Sequence, residues 1–123
     1  MVASPDRYFR VQLSDLLLSY GYAQPLFTDT ARGILDCAEQ QDLNLILLDE
    51  DIPLLTPVEV SRMIRADDMI QHVPQLLLIV AQATRAIVNE ARDAGIDAMI
   101  TKPVVPIRLM RTIDQLQFVR LAA

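Results

Sequence analysis

The stretch Leu45-Ile46-Leu47-Leu48-Asp49-Glu50-Asp51-Ile52-Pro53 decides how this chain is read. Four consecutive aliphatic residues without alternation suit a strand buried on both faces, as in a parallel sheet. The run stops on Asp49, with two more acids and a proline behind it, so this carboxylate falls where the chain leaves the sheet. A second run, Ala98-Met99-Ile100-Thr101, ends on Lys102-Pro103. Lys102 is the one lysine among 11 basic residues, and the rest are arginine. A compact ammonium on a flexible stem can lie beside a buried carboxylate as a point charge, which a forked guanidinium does less well. An Asp closing one parallel strand and a Lys closing another meet at the carboxyl edge of the sheet, where open α/β folds place their sites. The plain alternative is a structural ion pair at a sheet rim.

Working outward, strand and helix patterns alternate. Met1 to Ser4 end a short strand; Ser4 and Pro5 then read as N-cap and first-turn proline of a helix over Asp6 to Tyr20. Its core face is Phe9, Leu13, Leu16, Leu17 and Tyr20, and Gly21 stops it. A weak strand near Gln24 to Phe27 precedes a helix from Ala31 to Gln41 with Ile34, Leu35 and Ala38 inward. The Leu43 to Leu48 strand follows, then a helix over Pro57 to Ala66, the apolar run Leu76 to Val80, and a helix over Thr84 to Ala94 that Gly95 ends. Ala98 to Thr101 is the last strand and Pro106 to Leu121 the last helix. Five such units with right-handed crossovers predict one α/β domain over residues 1–123, a doubly wound five-stranded parallel sheet between two helical layers. The first strand is short for a central one, so either the reading frame starts late or the sheet has a stunted middle.

At 123 residues the chain can bury about two thirds of its unfolded surface, so neither disulfide nor metal is needed to hold it. The single cysteine, Cys37, forms no internal disulfide, and no apolar run approaches a membrane span. A cytoplasmic protein without membrane contact is expected. The net charge of −5 argues against nucleic-acid binding by this domain alone, because that affinity comes largely from basic groups neutralising phosphates. His72, in a polar loop with no other ligand at metal spacing, reads as exposed.

With Asp49 ending the third strand and Lys102-Pro103 ending the fifth, the chain resembles the receiver domains of two-component response regulators. Gly21-Tyr22, the Ile64-Arg65 helix ending and Ala94-Gly95 fall in the same order. The resemblance implies the flavodoxin-like strand order 2-1-3-4-5. It implies a phosphoryl group passed from a histidine kinase to Asp49 and neutralised by Lys102. It also implies two adjacent acids after the first strand to hold Mg²⁺, and these positions are Ser4 and Pro5. Asp6, one position later, and Asp49 and Asp51 are the remaining candidates for a metal, whose binding is therefore expected to be weak. The family's hydroxyl switch residue falls on Val80 and its mobile aromatic on Met99, neither of which can take that role.

The reading is a non-enzymatic signalling module with a degraded phosphorylation site, acting through contacts with a histidine kinase or another signalling protein. The alternative is a working Mg²⁺-dependent phosphoacceptor that recruits its cation through Asp6, Asp49 and the Asp51 carbonyl. More remote is a fragment of a haloacid dehalogenase-like phosphatase, since Asp49-Glu50-Asp51 fits an Asp-x-Asp motif. Such enzymes need a downstream acidic pair, and Asp114 stands alone in the last helix. That helix carries one stripe of Leu109, Met110, Ile113 and Leu116 and a second of Ile107, Phe118 and Leu121. The second stripe predicts a dimer or partner surface.

Overall fold

The computed structural model describes residues 1–122, with side chains as far as residue 116. In chain order the elements are β1 (Val2–Ala3), α1 (Arg7–Ser19), β2 (Phe27–Thr28), α2 (Ala31–Gln40), β3 (Leu45–Asp49), α3 (Pro57–Ala66), β4 (Gln75–Val80), α4 (Arg85–Asp93), β5 (Ala98–Thr101) and α5 (Pro106–Ala122). The strands form one parallel sheet in the order β2-β1-β3-β4-β5.

Side chains that follow one another along a strand leave it on opposite faces, and here both faces are covered. Ile46, Leu48, Leu76, Leu78 and Val80 join Ile34, Leu35, Val60, Ile64 and Ala91 beneath α2, α3 and α4. Val2, Leu47, Leu77 and Ile79 join Leu13, Leu17, Leu109, Ile113 and Leu116 beneath α1 and α5. This is why the strands read as unbroken apolar runs. At about 25 cal/mol per Å² of apolar area, these aliphatic residues supply the main driving force of the fold.

β1 is only two residues long, yet the ladder continues on either side of it. The Met1 ammonium donates to the Leu45 carbonyl at 2.9 Å, and the Ser4 amide donates to Thr28 at 3.0 Å. The chain therefore stays in sheet register as far as Ser4. Pairing of Ala3 with Leu48 sets the next residues, Ser4 and Asp49, side by side.

The helix caps correct the sequence reading in one place that matters. Asp6, rather than Ser4, caps α1, its Oδ1 accepting from the amides of Tyr8 at 2.9 Å and Phe9 at 3.2 Å. Ser and Asp cap equally well, so composition could not choose between positions two apart. Tyr20 is half exposed instead of core, because it follows the last turn of α1 as the chain swings out. The second strand begins at Phe27, where the expected one ends. His72 is half-buried, its Nε2 lying 3.1 Å from Asn44 Oδ1. On α5, Leu109, Met110, Ile113 and Leu116 are buried and Ile107 is half exposed; Phe118 and Leu121 lie beyond the last described side chain.

Leu54 is the strained point of the backbone. Its φ of 73° and the bond from the Leu55 amide to the Pro53 carbonyl at 2.9 Å define a γ-turn of the rare positive-φ kind. A positive φ costs an ordinary L-residue roughly 1–2 kcal/mol, whereas glycine, without a Cβ, is free of that cost. Leu54→Gly is therefore expected to stabilise the fold by about 0.5–1 kcal/mol, visible as a rise of about 2–4 °C in melting temperature. An unchanged or lower melting temperature would mean that the turn holds no such strain.

Candidate functional site

Three strand ends build the site. β3 delivers Asp49, β5 delivers Lys102, and the exit from β1 delivers Ser4. The Lys102 amide bonds to the Val80 carbonyl at 2.8 Å, continuing the β4–β5 ladder one residue and fixing where the ammonium stem starts. Lys102 Nζ then lies 2.8 Å from Asp49 Oδ1 and 3.2 Å from Asp51 Oδ2. The same ammonium sits 5.2 Å from the centroid of the Phe9 ring, a cation–π distance.

Asp49 is 2% exposed, and each of its oxygens has a donor. Oδ1 accepts from Lys102 and from the Asp51 amide at 3.0 Å; Oδ2 accepts from the Ser4 hydroxyl at 2.7 Å. Burial pushes the Asp49 carboxyl up, but the Lys102 ammonium, the Asp51 amide and the Ser4 hydroxyl outweigh it and hold the group below its ordinary value. Burial likewise pulls Lys102 down, and its contacts with Asp49 and Asp51 raise it above the ordinary lysine range. Both groups are therefore charged at neutral pH.

Ser4 is itself fixed from two sides. Its Oγ accepts from the Asp6 amide at 3.1 Å, and its carbonyl accepts from Arg10 at 2.7 Å. The sequence reading placed Ser4 at this edge only as a missing acid, not as a donor to Asp49, and missed Arg10. The available signal was register, since a chain running in extended form through Ser4 must place that side chain beside the end of β3. Phe9, read only as core, also serves as the surface beneath the ammonium.

The metal candidates separate. Asp51 stands beside Lys102, whereas the Asp6 carboxylate is committed to the first turn of α1. A hydroxyl that donates to Asp49 sits at the first position of the expected acid pair, and exposed Pro5, which has no carboxylate, sits at the second. Among the described residues no group of three His, Cys, Asp or Glu side chains could hold a metal ion. Without the expected acid pair, Asp49 and Asp51 are the carboxylates left at this edge for a divalent cation, and both share Lys102.

Val80 and Met99 both belong to the α2–α3–α4 face, Val80 at 1% exposure and Met99 partly buried against the same cluster. They fill that space with hydrocarbon and offer no group to bond a phosphoryl oxygen. Glu50, next to Asp49, accepts from the Ala81 amide at 2.9 Å and so ties the β3 exit to the β4 exit.

A family model described as the response regulator receiver domain matches residues 1–114. The chain is 28% identical over 104 residues to chemotaxis protein CheY-3 of Vibrio cholerae, an alignment covering 85% of this chain and 79% of that one. It is 30% identical over 99 residues to the polar-differentiation response regulator DivK of Brucella anthropi, covering 80% and 79%. The solved structure of chemotaxis protein CheY4 of Vibrio cholerae matches the fold with a TM-score of 0.83 over 94% of each chain, at 19% identity.

Proposed function

Because this chain belongs to the response regulator receiver domain family, we propose that it is a signalling module that works through protein contacts, with phosphoryl acceptance at Asp49 impaired. The observation that carries this reading is the Ser4 hydroxyl seated on Asp49 Oδ2 at 2.7 Å. Phosphoryl transfer needs a carboxylate oxygen free to attack in line and cations to neutralise the transferring group. Here one oxygen is held by Ser4 and the other by Lys102 and the Asp51 amide. Lys102 is the one cation these contacts supply, and Asp51 already takes part of its charge.

The module is non-enzymatic and cytoplasmic in this reading, and its partners are a histidine kinase or another signalling protein. The free Cys37 agrees with a reducing compartment, and among the described residues no helix is long and apolar enough to cross a membrane. Half-exposed Ile107 on α5 supports association there, as a homodimer or with a partner helix.

The test is a ¹H–¹⁵N spectrum recorded with Mg²⁺ and then with beryllofluoride, beside the intact mass after acetyl phosphate. The expected results are small, non-saturating shifts and no phosphoryl adduct. Stoichiometric modification that disappears in Asp49→Asn would replace this reading with the working phosphoacceptor.

A further inference from the structure

Beside the Asp49 edge, between the start of α3 and the side of α4, lies a cavity of about 300 Å³. Its apolar wall includes Val58, Val80 and Ile87, and its charged lining consists of Glu50, Asp51 and Glu90, with no basic residue. Part of the Asp51 charge goes to Lys102 at 3.2 Å. Glu50 bonds to the Ala81 amide, a neutral donor that leaves its negative charge uncancelled. Glu90 is exposed on α4. Leu54, three residues after Asp51 and two before Thr56, lies in the loop that joins these two lining residues, and its side chain is fully exposed.

The geometry points to a docking site for a partner segment that presents an arginine beside an apolar residue. The arginine stem would lie along half-buried Val58 and Ile87, over a floor closed by buried Val80, its guanidinium would pair with Glu50 and Glu90, and the apolar neighbour would rest on Leu54. Charge complementarity selects the cation, because three carboxylates line the cavity and Lys102 pairs with Asp51 alone among them. The hydrocarbon wall selects the kind of cation. A guanidinium is weakly hydrated and carries an apolar stem, whereas Mg²⁺ gives up its water reluctantly and gains nothing from Val80 or Ile87. Hydrocarbon at position 80 adds to this, since a hydroxyl there would break the apolar wall.

This inference specifies the partner chemistry of the protein-contact reading and rests on it, but it fails separately. The experiment is a ¹H–¹⁵N titration of the full chain with the capped peptide acetyl-Ala-Leu-Arg-Ala-Leu-amide. Two control peptides carry citrulline in place of arginine, or serine in place of both leucines. The expected result is saturable shifts centred on Glu50, Val80, Ile87 and Glu90 with the first peptide alone, weakened by added salt. Glu50→Gln and Glu90→Gln should each weaken binding about threefold, Leu54→Asn should also weaken it, and Asp42→Asn, at the opposite end of β3, should not. Gln keeps an oxygen for the Ala81 amide, and the parent-like spectrum of each variant verifies folding. Equal shifts with citrulline, or shifts dispersed over the acidic surface, would overturn the proposal. Shifts at these residues that follow protein concentration without peptide would assign the cavity to a second copy and overturn it as well. None of these outcomes alters whether Asp49 accepts a phosphoryl group, which the acetyl phosphate reaction reads independently.

Discussion

Replacing Ser4 and Pro5 together by aspartate is expected to raise the Mg²⁺ affinity of the sheet edge roughly tenfold or more, about 1.4 kcal/mol. The Ser4 side chain already points at Asp49, with its oxygen 2.7 Å from Oδ2. A carboxylate at that position removes the donor and puts a second anion against Asp49. Without metal the two repel, so the double variant should melt below the parent; with Mg²⁺ it should recover, because a ligand that binds only the folded state stabilises it by mass action. Ser4→Asp is the more telling single change, since Pro5 has no contact with Asp49 comparable to the Ser4 bond. Calorimetric titration with Mg²⁺ reads the result, and an affinity equal to the parent's would show that the edge cannot open to admit a cation.

Lys102→Met should cost on the order of 2 kcal/mol at neutral pH, below the roughly 3–5 kcal/mol of a fully buried pair because the ammonium is partly hydrated. Met keeps a flexible apolar stem over Phe9 and removes only the charge. Asp49 is then left buried with two neutral donors, Ser4 and the Asp51 amide. The pH dependence identifies the cause. In the parent, Asp49 titrates below its unfolded value of 3.8, so its contribution is present above 3.8 and lost as pH falls through the lower folded value. In the variant burial dominates, the folded value rises above 3.8, and Asp49 costs stability as pH increases past it. The difference between the two proteins should therefore vanish in acid and grow to its full size towards neutrality. Chemical denaturation of both across that range measures it, and a gap independent of pH would assign the loss to packing over Phe9.

The sequence was most legible where one requirement acted alone. Pro57 to Ala66 could be bounded to the residue because Pro57 opens the helix, and the Thr56–Glu59 capping box, a signal left unused, makes the same start. Gly95 at φ 86° ends the chain's fourth helical segment as a left-handed residue should. The unbroken apolar runs of β3 and β4 announced a sheet covered on both sides. The role of Ser4 was illegible because two requirements met in three residues. Ser4-Pro5-Asp6 satisfies helix capping in either of two registers, and only the pairing of Ala3 with Leu48 decides that Ser4 belongs to the sheet and Asp6 to the helix. The strained Leu54 was hidden for another reason. Left-handed backbone is foretold by Gly or Asn, and a leucine there carries no local signal.

The three donors on Asp49 bear on how such a domain could carry information. A relay needs two resting arrangements of comparable energy, so that a modest input selects between them. Ser4, Lys102 and the Asp51 amide all bond to one carboxylate, and Val80 and Met99 are apolar. On the proposed reading, in which these contacts hold the edge in one arrangement, the domain would signal by how much of it there is. Its natural variable would be copy number against partner number, its response a binding curve, and its reset the turnover of the protein itself.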